Sequence, residues 1–168
     1  MIVGIDPGKN IITFVSFPNI EVVFICHKDA KISKRFFKKV VNVNFYSSIR
    51  DLHLACSKVV NEFLDRSRDC KFAIEGYSYQ SPGHLVEIAE VVSILKLVFE
   101  EKGCEYMTIP PSRAKKILTG KGTATKSEVA IAVYKKLGID FSHFGKEMEH
   151  CYDALAIAYS ASIETNKR

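Results

Sequence analysis

Four side chains able to hold a cation or move a proton stand out: Asp6, Glu75, His150 and Asp153. Asp6 closes the apolar run 2–6 and precedes Pro7-Gly8, where a lone aspartate would read as a turn residue. Glu75 closes a second apolar run, 71–75, and alone would be a solvated strand-end acid. His150 and Asp153 are three residues apart, so a helix presents both on one face. Asp153 opens the apolar stretch ALAIAYSA, and a charge heading a buried segment is costly unless paired or metal-bound. Clustered oxygen donors suit Mg²⁺, with Mn²⁺ as substitute, rather than zinc. Such a cluster can hold two ions for phosphodiester hydrolysis, one activating the attacking water and one stabilising the leaving oxygen. On these residues alone the alternative stays open that the four never meet in space.

The elements that must position them follow from periodicity. Short β-branched and aromatic runs at 2–6, 11–17 and 21–26, with Pro18-Asn19 between the last two, predict an antiparallel meander. The spacing of Ile49, Leu52, Cys56, Val59, Val60 and Phe63 predicts an amphipathic helix over 48–66. Strands follow at 71–75 and 105–109, a long helix at 83–102, and a short one to Leu118 with Ser112 as N-cap. A flexible glycine loop, 119–125, leads to helices at 126–137 and 148–163. Residues 31–46 carry no assignable pattern. The order β-β-β-α-β-α-β-α-α predicts an α/β fold with a mixed five-stranded sheet flanked by helices. Asp6 and Glu75 then lie at C-terminal strand ends, where open α/β sheets place their sites.

Composition bounds the function. A chain of 168 residues with 47% apolar and 26% charged residues is ordinary for one globular domain, here 1–168. The net charge of +5 permits a polyanionic partner without demanding one. Five cysteines without a CxxC pair argue against a disulfide framework or zinc ribbon and for a reducing, cytoplasmic compartment. The start reads as no signal peptide, and the stretch from Val91 to Phe99 is too short to cross a bilayer.

The strings IVGIDPG at 2–8, AIEGYSY at 73–79, TGKGTATKSEV at 119–129 and HCYDALAIAYSA at 150–161 together resemble the RuvC-like Holliday-junction resolvase family, in its order and approximate spacing. The AIEGYSY form and the Pro-Pro-Ser before the glycine loop look most like its bacteriophage branch. The resemblance is weakest over 18–70. It implies a ribonuclease H-like fold, branched DNA as substrate, a homodimer, divalent metal, and a host cytoplasm if phage-encoded. It places Asp6, Glu75, His150 and Asp153 in the metal-binding tetrad, with His150 standing where many relatives carry Asp. It also places Lys126 near the scissile phosphate. A neutral imidazole at 150 adds no negative charge; it ligates, orients the water or acts as base.

Two acid-free basic strips could track DNA phosphates. One holds Lys31, Lys34, Arg35, Lys38, Lys39 and Arg50; the other holds Arg113, Lys115, Lys116, Lys121 and Lys126. The second adjoins the glycine loop and is the stronger candidate. Tyr77 and Tyr79 either stack on unpaired bases or cover the sheet edge. The 83–102 helix is apolar nearly all round, so a second buried face, in a homodimer or between layers, is expected. The leading reading is a Mg²⁺-dependent junction-resolving endonuclease acting in recombination, repair or phage genome processing. The alternatives are a broader flap or branch nuclease and a non-cleaving branched-DNA-binding subunit. A sugar-kinase or actin-like phosphate binder needs a duplicated domain and far more chain.

Overall fold

Strand-forming runs and tight turns build the centre of the molecule. The computed structural model describes residues 1–31, 42–76 and 84–166. Strands β1 (Ile2–Pro7), β2 (Ile11–Phe17) and β3 (Val22–His27) form the expected antiparallel meander, with Ile5 opposite Phe14 and Phe14 opposite Val23. Strand β4 (Asn42–Tyr46) pairs parallel with β3, β5 (Lys71–Glu75) parallel with β1, and β6 (Tyr106–Ile109) parallel with β5. The sheet order is β4-β3-β2-β1-β5-β6.

The sheet therefore has six strands, not the five expected. The extra strand, β4, is an edge strand containing Asn42 and Asn44, and only Tyr46 within it is buried. An edge strand packed on little core carries weak alternation, which is why its sequence gave no signal.

Alternation along the central strands sorts two cores. Val3, Ile5, Ile12, Phe14, Val23, Ile25, Phe72 and Ile74 pack with α1 (Ile49–Arg66) and α2 (Leu85–Lys102). Ile2, Ile11, Val15, Val22, Phe24, Ala73 and Ile109 face α3 (Pro111–Thr119), α4 (Lys126–Leu137) and α5 (Met148–Thr165). Helix α1 starts where the Ser48 side chain accepts from the Asp51 N–H at 3.1 Å. Helix α3 starts two residues earlier than expected. Pro110 takes the N-cap position and Pro111 the first helical one, so Ser112 lies inside the helix and caps nothing.

The α5–β1 contact decides where the chemistry sits. A Cβ on Gly4 would lie 2.0 Å from the Ala154 carbonyl oxygen and 2.5 Å from the Ala158 nitrogen. Only glycine lets the helix approach this closely, and the alanines at 154, 156, 158 and 161 keep its buried side thin. The apolar run after Asp153 is thus the face that lies on the sheet.

Candidate active site

Two adjacent strands deliver side chains to one face beneath α5. Asp6 is the penultimate residue of β1 and Glu75 the last of β5; the parallel register Ile5–Ile74 brings them level. Because Ile5 and Ile74 point into the opposite core, both carboxylates point toward α5. The first turn of α5 carries His150 and the second Asp153. His150 Nδ1 lies 2.6 Å from an Asp6 carboxylate oxygen. Residues 144 positions apart in the chain are therefore in direct contact.

The electrostatics show that all four belong to one cluster. Burial pushes the Glu75 carboxyl up to about 9, helped by the negative charges of Asp6 and Asp153 and by a hydrogen bond shared with Asp6. Burial, then Asp6, pushes Asp153 up to about 6. The Asp6 hydrogen bond raises His150, which burial opposes. Carboxylates crowded in a poorly solvated place favour a proton or a cation. Asp6 itself is 8% exposed.

Lys126 is the first residue of α4. A capping box fixes it: the Thr125 hydroxyl accepts from the Glu128 N–H, and Glu128 Oε2 accepts from the Thr125 N–H at 2.8 Å. Its Nζ donates to Glu149 Oε2 at 2.5 Å, and that bond raises its pKa, with Asp153 and Asp6 contributing. Lys126 thus stands at the rim of the acidic cluster.

The second basic strip divides. Arg113 is bonded to Glu164, Lys121 lies 3.7 Å from Glu128, and Lys126 is held by Glu149. Lys115 and Lys116 have no ion pair among the described residues. Lys115, which sequence reasoning placed only in a DNA-facing strip, is close enough to lower both Glu75 and Asp153. Its spacing from Ala114 and Leu118, both buried, is the one signal that could have fixed its side of the helix. The glycine loop is tied down: Gly120, at φ 85°, ends α3 with its N–H on the Lys116 carbonyl, and the Lys121 N–H donates to the Thr119 hydroxyl. Tyr77 and Tyr79, with Lys34, Arg35, Lys38 and Lys39, lie outside the described residues.

Among the described residues no three His, Cys, Asp or Glu side chains close on one point as an ion's shell would require. His150 Nδ1 takes one Asp6 oxygen, and Glu75 shares a hydrogen bond with Asp6. The donor set nevertheless fits a hard divalent ion: carboxyl groups pushed toward neutrality by burial and by one another's charge, plus one imidazole.

A mixed sheet with a leading antiparallel meander, helices on both faces and acids at neighbouring strand ends under a C-terminal helix defines the ribonuclease H-like class. Within that class, the chain belongs to the RuvC family: the model of crossover junction endodeoxyribonuclease RuvC matches residues 2–161. The RuvC of Prochlorococcus marinus is 24% identical over 94% of this chain and 92% of its own length. The RuvC of Helicobacter pylori is 28% identical, covering 82% of each. The structure of Thermus thermophilus RuvC in complex with Holliday junction substrate matches with a TM-score of 0.66 at 22% identity, over 99% of this chain and 94% of that one.

Proposed function

We propose that this protein is a crossover junction endodeoxyribonuclease that binds branched DNA and hydrolyses phosphodiesters at four-way junctions, in recombination, repair or phage genome processing. Supporting this are membership of the RuvC family and the convergence of Asp6, Glu75, His150 and Asp153 beneath α5. The convergence carries the most weight, since a subunit that only bound DNA would have no use for one buried and two half-buried acids brought together.

Asp6, Glu75, His150 and Asp153 would hold Mg²⁺, or Mn²⁺ in its place, two ions per site being the reading their number favours. The metal supplies an activated water and charge stabilisation at the leaving oxygen. Neutral His150 would complete the set of ligands or accept a proton from the attacking water. Lys126, released from Glu149, offsets the charge that builds on the phosphate. Lys115 and Lys116 lie free to meet neighbouring phosphates, and salt weakens such contacts. No covalent enzyme intermediate is needed.

The working unit in this proposal is one nuclease domain, 1–168, paired as a homodimer. Helix α2 buries Val91, Val92, Leu95, Val98 and Phe99 against its own core but leaves Val86 71% and Leu97 48% exposed. Val86 lines one cleft with Ile49 of α1, also exposed, and this apolar surface would suit a second copy. Two sites would then act across one junction. No helix among the described residues is long and apolar enough to cross a membrane, and a cytoplasmic setting, the host's if phage-encoded, is part of the proposal.

Incubation with an end-labelled four-way junction, a flap and a linear duplex, with and without Mg²⁺, tests this. The expected result is Mg²⁺-dependent cutting of the junction and none of the duplex. Equal cutting of flap and junction would make it a general branch nuclease, and no cutting of any substrate would overturn the activity.

A further inference from the structure

A third polar side chain lies in the row that Asp6 and Glu75 begin. In the antiparallel β1–β2 register Thr13 stands directly opposite Asp6, so their side chains share the face beneath α5. Thr13, Asp6 and Glu75 thus line up across β2, β1 and β5. Asp6 has partners in His150 and Glu75. Thr13 does not: it is fully buried, and its Oγ1 has no hydrogen-bond partner among the described residues. The row ends beyond it at Phe24, its partner on β3, and Ile11 and Val15 flank it on β2. A valine would suit those neighbours and leave no polar atom stranded. The hydroxyl must therefore serve some state other than this one, and the polar group across the register from it is Asp6.

We infer that Thr13 is a positioning residue for Asp6, its hydroxyl donating to the Asp6 carboxylate when the site is loaded with metal. This rests on the metal reading above. Directly opposed residues hold their Cβ atoms about 4.5–5.5 Å apart, so rotation of the two side chains brings hydroxyl and carboxylate into bonding range. The bond then fixes the carboxylate's orientation toward the ion. Thr13 touches neither substrate nor ion; it acts through Asp6, as outer-shell partners of metal ligands do.

The test uses the whole protein without DNA. Mn²⁺ affinity by titration calorimetry and the melting temperature in EDTA are measured for wild type, Thr13→Val, Thr13→Ser and Thr13→Ala. Thr13→Val should melt a few degrees higher without metal, because the stranded hydroxyl is gone, yet bind Mn²⁺ about tenfold more weakly. Thr13→Ser should restore the affinity, and Thr13→Ala should weaken it as valine does, which keeps the comparison open if valine misfolds. A purely structural hydroxyl would lower the melting temperature on removal and leave the affinity alone. Wild-type Mn²⁺ affinity in both Thr13→Val and Thr13→Ala overturns the inference while the metal reading stands. Failure of the wild type to bind Mn²⁺ overturns both.

Discussion

Replacing Glu75 with glutamine should stabilise the metal-free protein while destroying its capacity to cut. The carboxyl is pushed from 4.5 in the unfolded chain to about 9 in the fold by burial and by Asp6 and Asp153. A carboxyl raised on folding contributes stability that is fully present below its unfolded pKa. That contribution drains away as pH rises toward the folded value, because the unfolded chain releases the proton first. Each pH unit across this window is worth about 1.4 kcal/mol, so going from pH 5 to pH 8 removes up to about 4 kcal/mol. Asp153, raised to about 6, pulls in the same direction, but Asp6 raises both, so the two effects do not add. Glutamine is neutral at every pH and has the shape of the protonated acid. Thermal melts in EDTA at pH 5 and pH 8 read the difference. Wild type should lose stability across that interval, and Glu75→Gln should lose much less. At pH 8 the variant should lead by up to about 8–16 °C, on a scale of about 2–4 °C per kcal/mol at this chain length. Added Mg²⁺ should raise the wild type at pH 8 and leave the variant nearly unmoved. A wild type equally stable at both pH values, or a variant less stable at pH 8, would refute the electrostatic reasoning.

Two further outcomes follow from the helix–sheet contact and from the imidazole. Gly4→Ala puts a methyl 2.0 Å from the Ala154 carbonyl oxygen; it should cost about 1–3 kcal/mol or more, and junction cleavage should fall with the melting temperature because α5 carries His150 and Asp153. His150, raised by its bond to Asp6, should set an acid limb in the pH–rate profile, since a protonated ring neither ligates nor accepts a proton. His150→Asp should keep appreciable activity and move that limb to lower pH, whereas a wild-type profile in His150→Ala would show the ring to be a bystander.

Much of the site was legible because strand ends and helical spacing are local signals. Asp6 and Glu75 each end an apolar run, and the three-residue step from His150 to Asp153 fixes a shared face. What stayed hidden depends on contacts between distant segments. The ion pairs of Arg113 with Glu164 and Lys126 with Glu149 span 51 and 23 residues, so the basic strip looked freer than it is. Lys115 acts on the acids through space, which a charge run cannot show. The orphaned hydroxyl of Thr13 exists only in the β1–β2 register, since by type alone it is an ordinary strand threonine. Strand β4 escaped notice because an exposed edge leaves alternation little work to do. The capping box at Thr125-Lys-Ser-Glu128 could have been read from the sequence, and it fixes where Lys126 stands.

The most direct test of the central claim is a paired measurement on Asp6→Asn: junction binding by gel shift, and cleavage of the same labelled junction in Mg²⁺. Asparagine keeps the shape of the residue and leaves Lys115, Lys116 and the rest of the basic surface untouched, but removes one charge from the proposed metal site. Binding should stay within about threefold of wild type, while cleavage falls at least about 100-fold. A folded Asp6→Asn protein that cuts the junction at the wild-type rate would contradict the assignment of this cluster as the catalytic centre.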